Sequence, residues 1–145
     1  MMKEYKYFNI SSAEKEKLAE LINETLQARP EVVFAYLYGS FTDKEERPVR
    51  DIDVAVYVAS EKEIDDMLEY TAGLVLEMKK KGISVPLDIQ VINTAPLGFL
   101  HHILSTGKIL FCRNEELLTD LIEKTTHRYF QALPFIKSYL KETIS

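Results

Sequence analysis

Apolar residues along this chain recur in two alternating rhythms, one of about 3.6 residues and one of short unbroken runs, so the pattern alone lays out its elements. Leu18, Leu21, Ile22 and Leu26 share a helical face behind the capping spacing Ser11-x-x-Glu14 and ahead of Pro30, which predicts a helix over about 12–28. Val32 to Tyr38 is almost continuously apolar or aromatic and predicts a strand buried on both faces. The stretch 42–50 is charged and aperiodic, a short turn and an exposed loop, and a second strand follows from Asp51 to Val58. Ser60 and Glu63 repeat the capping spacing before Ile64, Met67, Leu68, Thr71, Val75 and Met78, predicting a second helix up to Gly82, with Asp65 and Asp66 solvated off its apolar face and the methionines as core filler. A third strand spans 85–92. Pro96 opens a short helix to about Ser105, and Thr106-Gly107 turns the chain into a strand over 108–111. Asn114 is placed to cap a last helix carrying Leu117, Leu118, Leu121 and Ile122, which Pro134 is expected to kink or end. The aromatic stretch Tyr129 to Phe135 is expected to pack on the domain, with service to a partner as the alternative.

Length and composition narrow what this string of elements can be. With 145 residues, 46% of them apolar, the chain forms one core, so residues 1–145 are expected to be a single domain with a C-terminal helical segment from about 114. A net charge of −5 and a pI near 5.3 argue against direct nucleic-acid binding through the phosphate backbone. No run reaches the length of a membrane span and the segment Met1 to Lys6 is too polar for a signal peptide, so a cytoplasmic location is expected. Cys112, the only cysteine, allows no internal disulfide and reads as a small apolar residue at a strand end.

The chemistry concentrates around Gly39-Ser40 and Asp51-Ile52-Asp53. In a strand, Asp51 and Asp53 project to one face with Ala55 and Tyr57, while Ile52, Val54, Val56 and Val58 take the other. Two carboxylates about 6.5–7 Å apart along the backbone, on a face whose company implies burial, can share a divalent cation. A Gly at the end of the preceding strand lets the backbone approach a ligand, and a helical turn starting at Ser40 would offer free N–H groups and a hydroxyl to phosphate oxygens. Lys44, Arg47 and Arg50 lie within reach of a triphosphate, Arg50 foremost because it adjoins Asp51. His101 and His102 diverge by about 100° on a helix and do not share one ion.

The pattern Gly-Ser, ten residues, Asp-x-Asp resembles the signature of the nucleotidyltransferase superfamily, and at this size the chain resembles the minimal nucleotidyltransferases (MNT) that are paired with HEPN-domain toxins. The strand Lys108 to Phe111, following a helix and Gly107, extends the likeness to the way such proteins close their sheet. The resemblance implies an α/β, polymerase-beta-like nucleotidyltransferase fold, a small mixed β-sheet flanked by helices. It implies a third catalytic acid on a later strand, a role that Asp88 fits, since Leu87, Ile89 and Val91 alternate to the opposite face. It further implies that Gly39 and Ser40 cradle the phosphates of ATP, that Asp51, Asp53 and Asp88 hold Mg²⁺, two ions in all, and that AMP passes to a hydroxyl, tyrosine foremost, of a cognate HEPN ribonuclease toxin in a hetero-oligomer. The HEPN signature, Arg followed four to six residues later by His, is absent from this sequence, which fits the transferase and not the toxin. Two other expectations stand beside it: an aminoglycoside-type, small-molecule nucleotidyltransferase, and an antitoxin that binds without catalysis.

Overall fold

Four apolar runs pair edge to edge into one twisted sheet, and the alternation within each run decides what covers its faces. The computed structural model describes residues 6–43 and 47–144, the side chains of 143 and 144 excepted. The strands are β1 (Val32–Tyr38), β2 (Ile52–Val58), β3 (Leu87–Val91) and β4 (Lys108–Cys112), in the spatial order β3-β2-β1-β4. β1 runs antiparallel to both β2 and β4, whereas β2 and β3 are parallel, so the sheet is mixed. Parallel pairing of β2 and β3 requires a crossover, which helix α2 (Met67–Lys80) supplies.

Helix α1 (Ser12–Gln27) and α2 close one face, where Ile22, Leu26, Leu74 and Met78 bury against Leu37, Ile52, Val54 and Ile89. Helices α3 (Leu97–Thr106) and α4 (Glu115–Ile144) close the other, with Leu100, Ile103 and Leu118 against Phe34, Tyr36 and Ala55. β1 is buried along its whole length, in keeping with its unbroken apolar run. A shift of register between Val32 and Phe34 puts Val33 and Phe34 toward the same helices, two consecutive residues on one face, as a bulge requires. Caps seat two helices at the predicted places: Ser11 Oγ accepts from Glu14 N at 3.2 Å and Asn114 Oδ1 from Leu117 N at 3.0 Å.

Four expectations are corrected. The second helix does not start from Ser60; Glu61–Glu63 is a lone 3₁₀ turn, Ile64 and Asp66 are extended, and the Asp66 carboxylate caps α2 by accepting from Glu69 N at 3.1 Å. Leu68, assigned to the buried stripe, is 80% exposed because the face that packs runs through Leu74 and Met78. Pro134 sits inside α4 without ending it, the helix running on to Ile144, and the aromatic stretch packs only in part: Phe130 and Phe135 are exposed, although Phe130 meets His101 edge-on and Leu133 is half-buried.

Candidate active site

The end of β1 is shaped by a single glycine. Gly39 adopts φ 78°, ψ −162°, a region that side chains avoid, and a Cβ built there would stand 2.3 Å from Asp53 Oδ2. The missing side chain therefore lets the turn back directly onto a carboxylate of the neighbouring strand. One 3₁₀ turn, Ser40–Thr42, follows at once. It is closed by Thr42 N and Thr42 Oγ1 donating to Gly39 O, at 3.1 and 2.7 Å, and by Asp43 N donating to Ser40 O at 3.1 Å. Ser40 itself is exposed at the mouth of this turn.

Register brings the acids together. Asp53 of β2 pairs with Asp88 of β3 on one side and with Tyr38 of β1 on the other, so three polar side chains stand in a row across strands about 4.8 Å apart, on the face that α3 and α4 cover elsewhere. Asp51 lies one residue before β2, half-buried, and Asp88 is exposed at the sheet edge. Burial, then the charges of Asp51 and Asp88, push the Asp53 carboxyl up to about 6 against the opposing pull of Arg50. The guanidinium of Arg50 stands 3.9 Å from Asp51 Oδ2 and is half-exposed, a pairing worth little on its own. Arg47 is exposed, and Lys44 falls outside the described residues. His101 stacks on Tyr129 with centroids 3.9 Å apart while His102 is exposed, so the two histidines part as their spacing dictates. Among the described residues no group of three or more His, Cys, Asp or Glu forms a ready-made metal cage.

Two residues of this site were not singled out in the sequence. Tyr38 is buried beside Asp53, and its hydroxyl is held well above the usual phenol range by burial first and then by the charges of Asp53, Asp88 and Asp51; Phe99 meets its ring edge-on at 5.7 Å. Gln90, two residues beyond Asp88 on the same face, donates from Nε2 to Asp88 Oδ1 at 3.2 Å and so orients that carboxylate. Tyr38 directly precedes Gly39, which is a usable signal, but only the β1–β2 register places it opposite Asp53. The i,i+2 spacing of Asp88 and Gln90 on a strand was the corresponding signal for the second.

Comparison with known proteins bears on this arrangement. The family model described as polymerase beta, nucleotidyltransferase matches residues 20–116. A search of curated proteins finds no match. Among solved structures, a chain from the complex described as a tri-AMPylated Shewanella oneidensis HEPN toxin with MNT antitoxin is 17% identical, covers 90% of this chain and 99% of its own, and superposes with a TM-score of 0.69. A chain of the toxin–antitoxin MntA-HepT is 17% identical, with coverage of 90% and 99% and a TM-score of 0.67. A toxin–antitoxin structure with AMP-PNP supplies a third, 18% identical, covering 88% of this chain and 98% of its own at a TM-score of 0.67. At such identities the likeness is one of fold, and that fold is the polymerase-beta-like mixed sheet flanked by helices.

Proposed function

Because the chain belongs to the polymerase beta nucleotidyltransferase family, we propose that it transfers AMP from ATP to a hydroxyl, tyrosine foremost, of a HEPN ribonuclease toxin and acts as that toxin's antitoxin. The observation that carries the reading is the register of Asp53 with Asp88, together with a glycine turn packed against the Asp53 carboxylate. That geometry joins a phosphate-sized turn to an acidic cluster across two strands. The relatives described as a tri-AMPylated HEPN toxin with its antitoxin and as a toxin–antitoxin with AMP-PNP support the choice of acceptor and nucleotide.

In this reading the turn at Gly39 and Ser40 holds the β- and γ-phosphates through backbone N–H groups and the Ser40 hydroxyl, while Arg50 steadies Asp51. Asp88, exposed at the edge and oriented by Gln90, receives the proton of the acceptor hydroxyl. The acceptor oxygen bonds to the α-phosphorus and the bond to the β-phosphate oxygen breaks, releasing pyrophosphate. The donor set fits Mg²⁺, since Asp51, Asp53 and Asp88 offer only hard oxygens and their mutual repulsion is registered in the raised Asp53 carboxyl. Mg²⁺ held there by Asp51, Asp53 and Asp88, two ions on this reading, would supply neutralisation of the charge that develops on the α-phosphate and the leaving group.

The test is incubation of the co-purified pair with ATP and Mg²⁺, followed by intact mass of the toxin. Addition of AMP to the protein is expected, and Asp53→Ala should cut the rate by about a hundredfold or more, the size typical of removing one group that stabilises transition-state charge, without loss of the fold. Label appearing on a small molecule, or no label at all, would overturn the reading in favour of another acceptor or of binding alone.

A further inference from the structure

Among the described residues no strand pairs with the outer edge of β3, which lies beside the acids. In the parallel pair, Ile52 N donates to Pro86 O at 2.8 Å and Ile92 N to Val56 O at 2.9 Å, so even-numbered residues of β3 turn their backbone groups toward β2. The N–H and C=O groups of Leu87, Ile89 and Val91 consequently face outward from the edge. A groove of ≈ 700 Å³ runs along this edge, walled by Leu68, Thr71, Val75 and Leu76 of α2. Leu68 and Leu76 are 80% and 57% exposed, although both belong to the helix that covers the sheet. The groove meets the acidic cluster at Asp88, the one acid among its lining residues.

We infer that this groove takes an extended segment of the acceptor polypeptide, added as a fifth strand on β3, which carries the hydroxyl to Asp88. The inference rests on the transferase reading above and names where its protein substrate lies. A row of outward backbone donors and acceptors five residues long is satisfied by another main chain and not by a small molecule. Side chains of an added strand alternate, so those on one face fall against Leu68 and Leu76 while those on the other pass over Asp88 and Gln90. Charge favours a neutral or basic segment over a second copy of this chain. Two copies joined edge to edge would bring two acidic clusters together in molecules that each carry −5.

The experiment uses the full chain co-expressed with its HEPN toxin, and variants Leu68→Asp and Val91→Pro. Leu68→Asp places a charge in the groove at a side chain that is already solvated. Val91→Pro removes an outward N–H and blocks main-chain pairing without taking a bond from β2. Each should raise KM for the toxin at least tenfold while kcat at saturation and calorimetric Mg-ATP affinity stay within twofold of the parent. A photo-crosslinking residue at position 68 should label the toxin within a few residues of the modified hydroxyl. Parental KM in Leu68→Asp, or crosslinks only between two copies of this chain, overturns the inference and leaves the transferase reading intact. Should Val91→Pro fail to fold, Leu68→Asp and the crosslink decide. Failure of the parent to transfer AMP to the toxin overturns the transferase reading itself, and this inference with it.

Discussion

At the scale of single residues the site depends on Gly39 and Asp53, whose constraints are mutual. Any side chain at Gly39 meets a positive φ and a carboxylate oxygen at 2.3 Å, so Gly39→Ala must either strain the turn or displace Asp53. We expect a loss of about 1–3 kcal/mol in urea unfolding, with Mg-ATP affinity falling in parallel. Asp53 makes a second prediction through pH. Its folded carboxyl titrates at about 6, above an ordinary aspartate near 3.8, so the native state holds this proton more tightly than the unfolded chain does. The resulting stability is present below about pH 4 and is lost as pH rises through about 6. In EDTA, Asp53→Asn should therefore be more stable than the parent at pH 7.5, by about 1 kcal/mol once the water that still reaches the group is allowed for, and the gain should vanish by pH 4. A parent that is equally stable at both pH values relative to the variant would contradict the raised carboxyl. The aspartate pair and the Gly-Ser turn were legible in the sequence because each depends on near neighbours, alternation in one case and chain reversal in the other. The contribution of Tyr38 and the orientation of Asp88 by Gln90 depend on which strands pair and in what register.

At the scale of elements, the errors of reading occur where two local signals compete. Ser60…Glu63 and Asp66…Glu69 have the same spacing, and both satisfy the rule for a helix start. The second one operates, since Ile64 and Asp66 remain extended and Asp66 accepts from Glu69 N. Asp66→Ala should lower stability by about 1 kcal/mol, and Ser60→Ala, whose side chain caps nothing, should stay within about 0.5 kcal/mol of the parent; thermal melts of the two variants check this. The reverse ranking would return the helix start to Ser60. β1 was easier to read because continuous burial on two faces leaves an unbroken apolar run, whereas a helix with one solvated face admits several phases. Leu68 illustrates the difficulty: a shift of the packing face toward Leu74 and Met78 leaves it in water. Pro134 illustrates another, for a proline in the second half of a long helix removes one backbone bond without ending an element whose apolar stripe continues.

At the scale of the whole molecule, α4 is the longest element among the described residues. Thirty residues at 1.5 Å each span about 45 Å, and the first half packs on the sheet and α3 through Leu117, Leu118, Leu121 and Ile122 and the buried Thr125. Tyr129 makes a last stacking contact on His101, and beyond it Phe135, Tyr139 and Leu140 are 78%, 67% and 48% exposed. Leu133 is half-buried, but an amphipathic half-helix that keeps most of its apolar side chains in water draws little stability from packing, and large apolar side chains so exposed mark a site of association. Under the proposed function its occupant is the body of the toxin, which docks here while the acceptor segment reaches the acids. Replacing Phe135 by Ser should leave the thermal midpoint of the isolated protein within about a degree, because a side chain 78% exposed contributes little to a core. Mg-ATP affinity should likewise be unchanged. Affinity for the toxin should fall at least about thirtyfold, as truncation of an aromatic anchor costs about 2 kcal/mol or more where it is buried at the centre of an interface. Surface plasmon resonance on the purified pair measures this directly. An unaltered affinity would remove the C-terminal half of α4 from the interface, and a lowered thermal midpoint in the isolated protein would show that the helix folds back on its own domain instead.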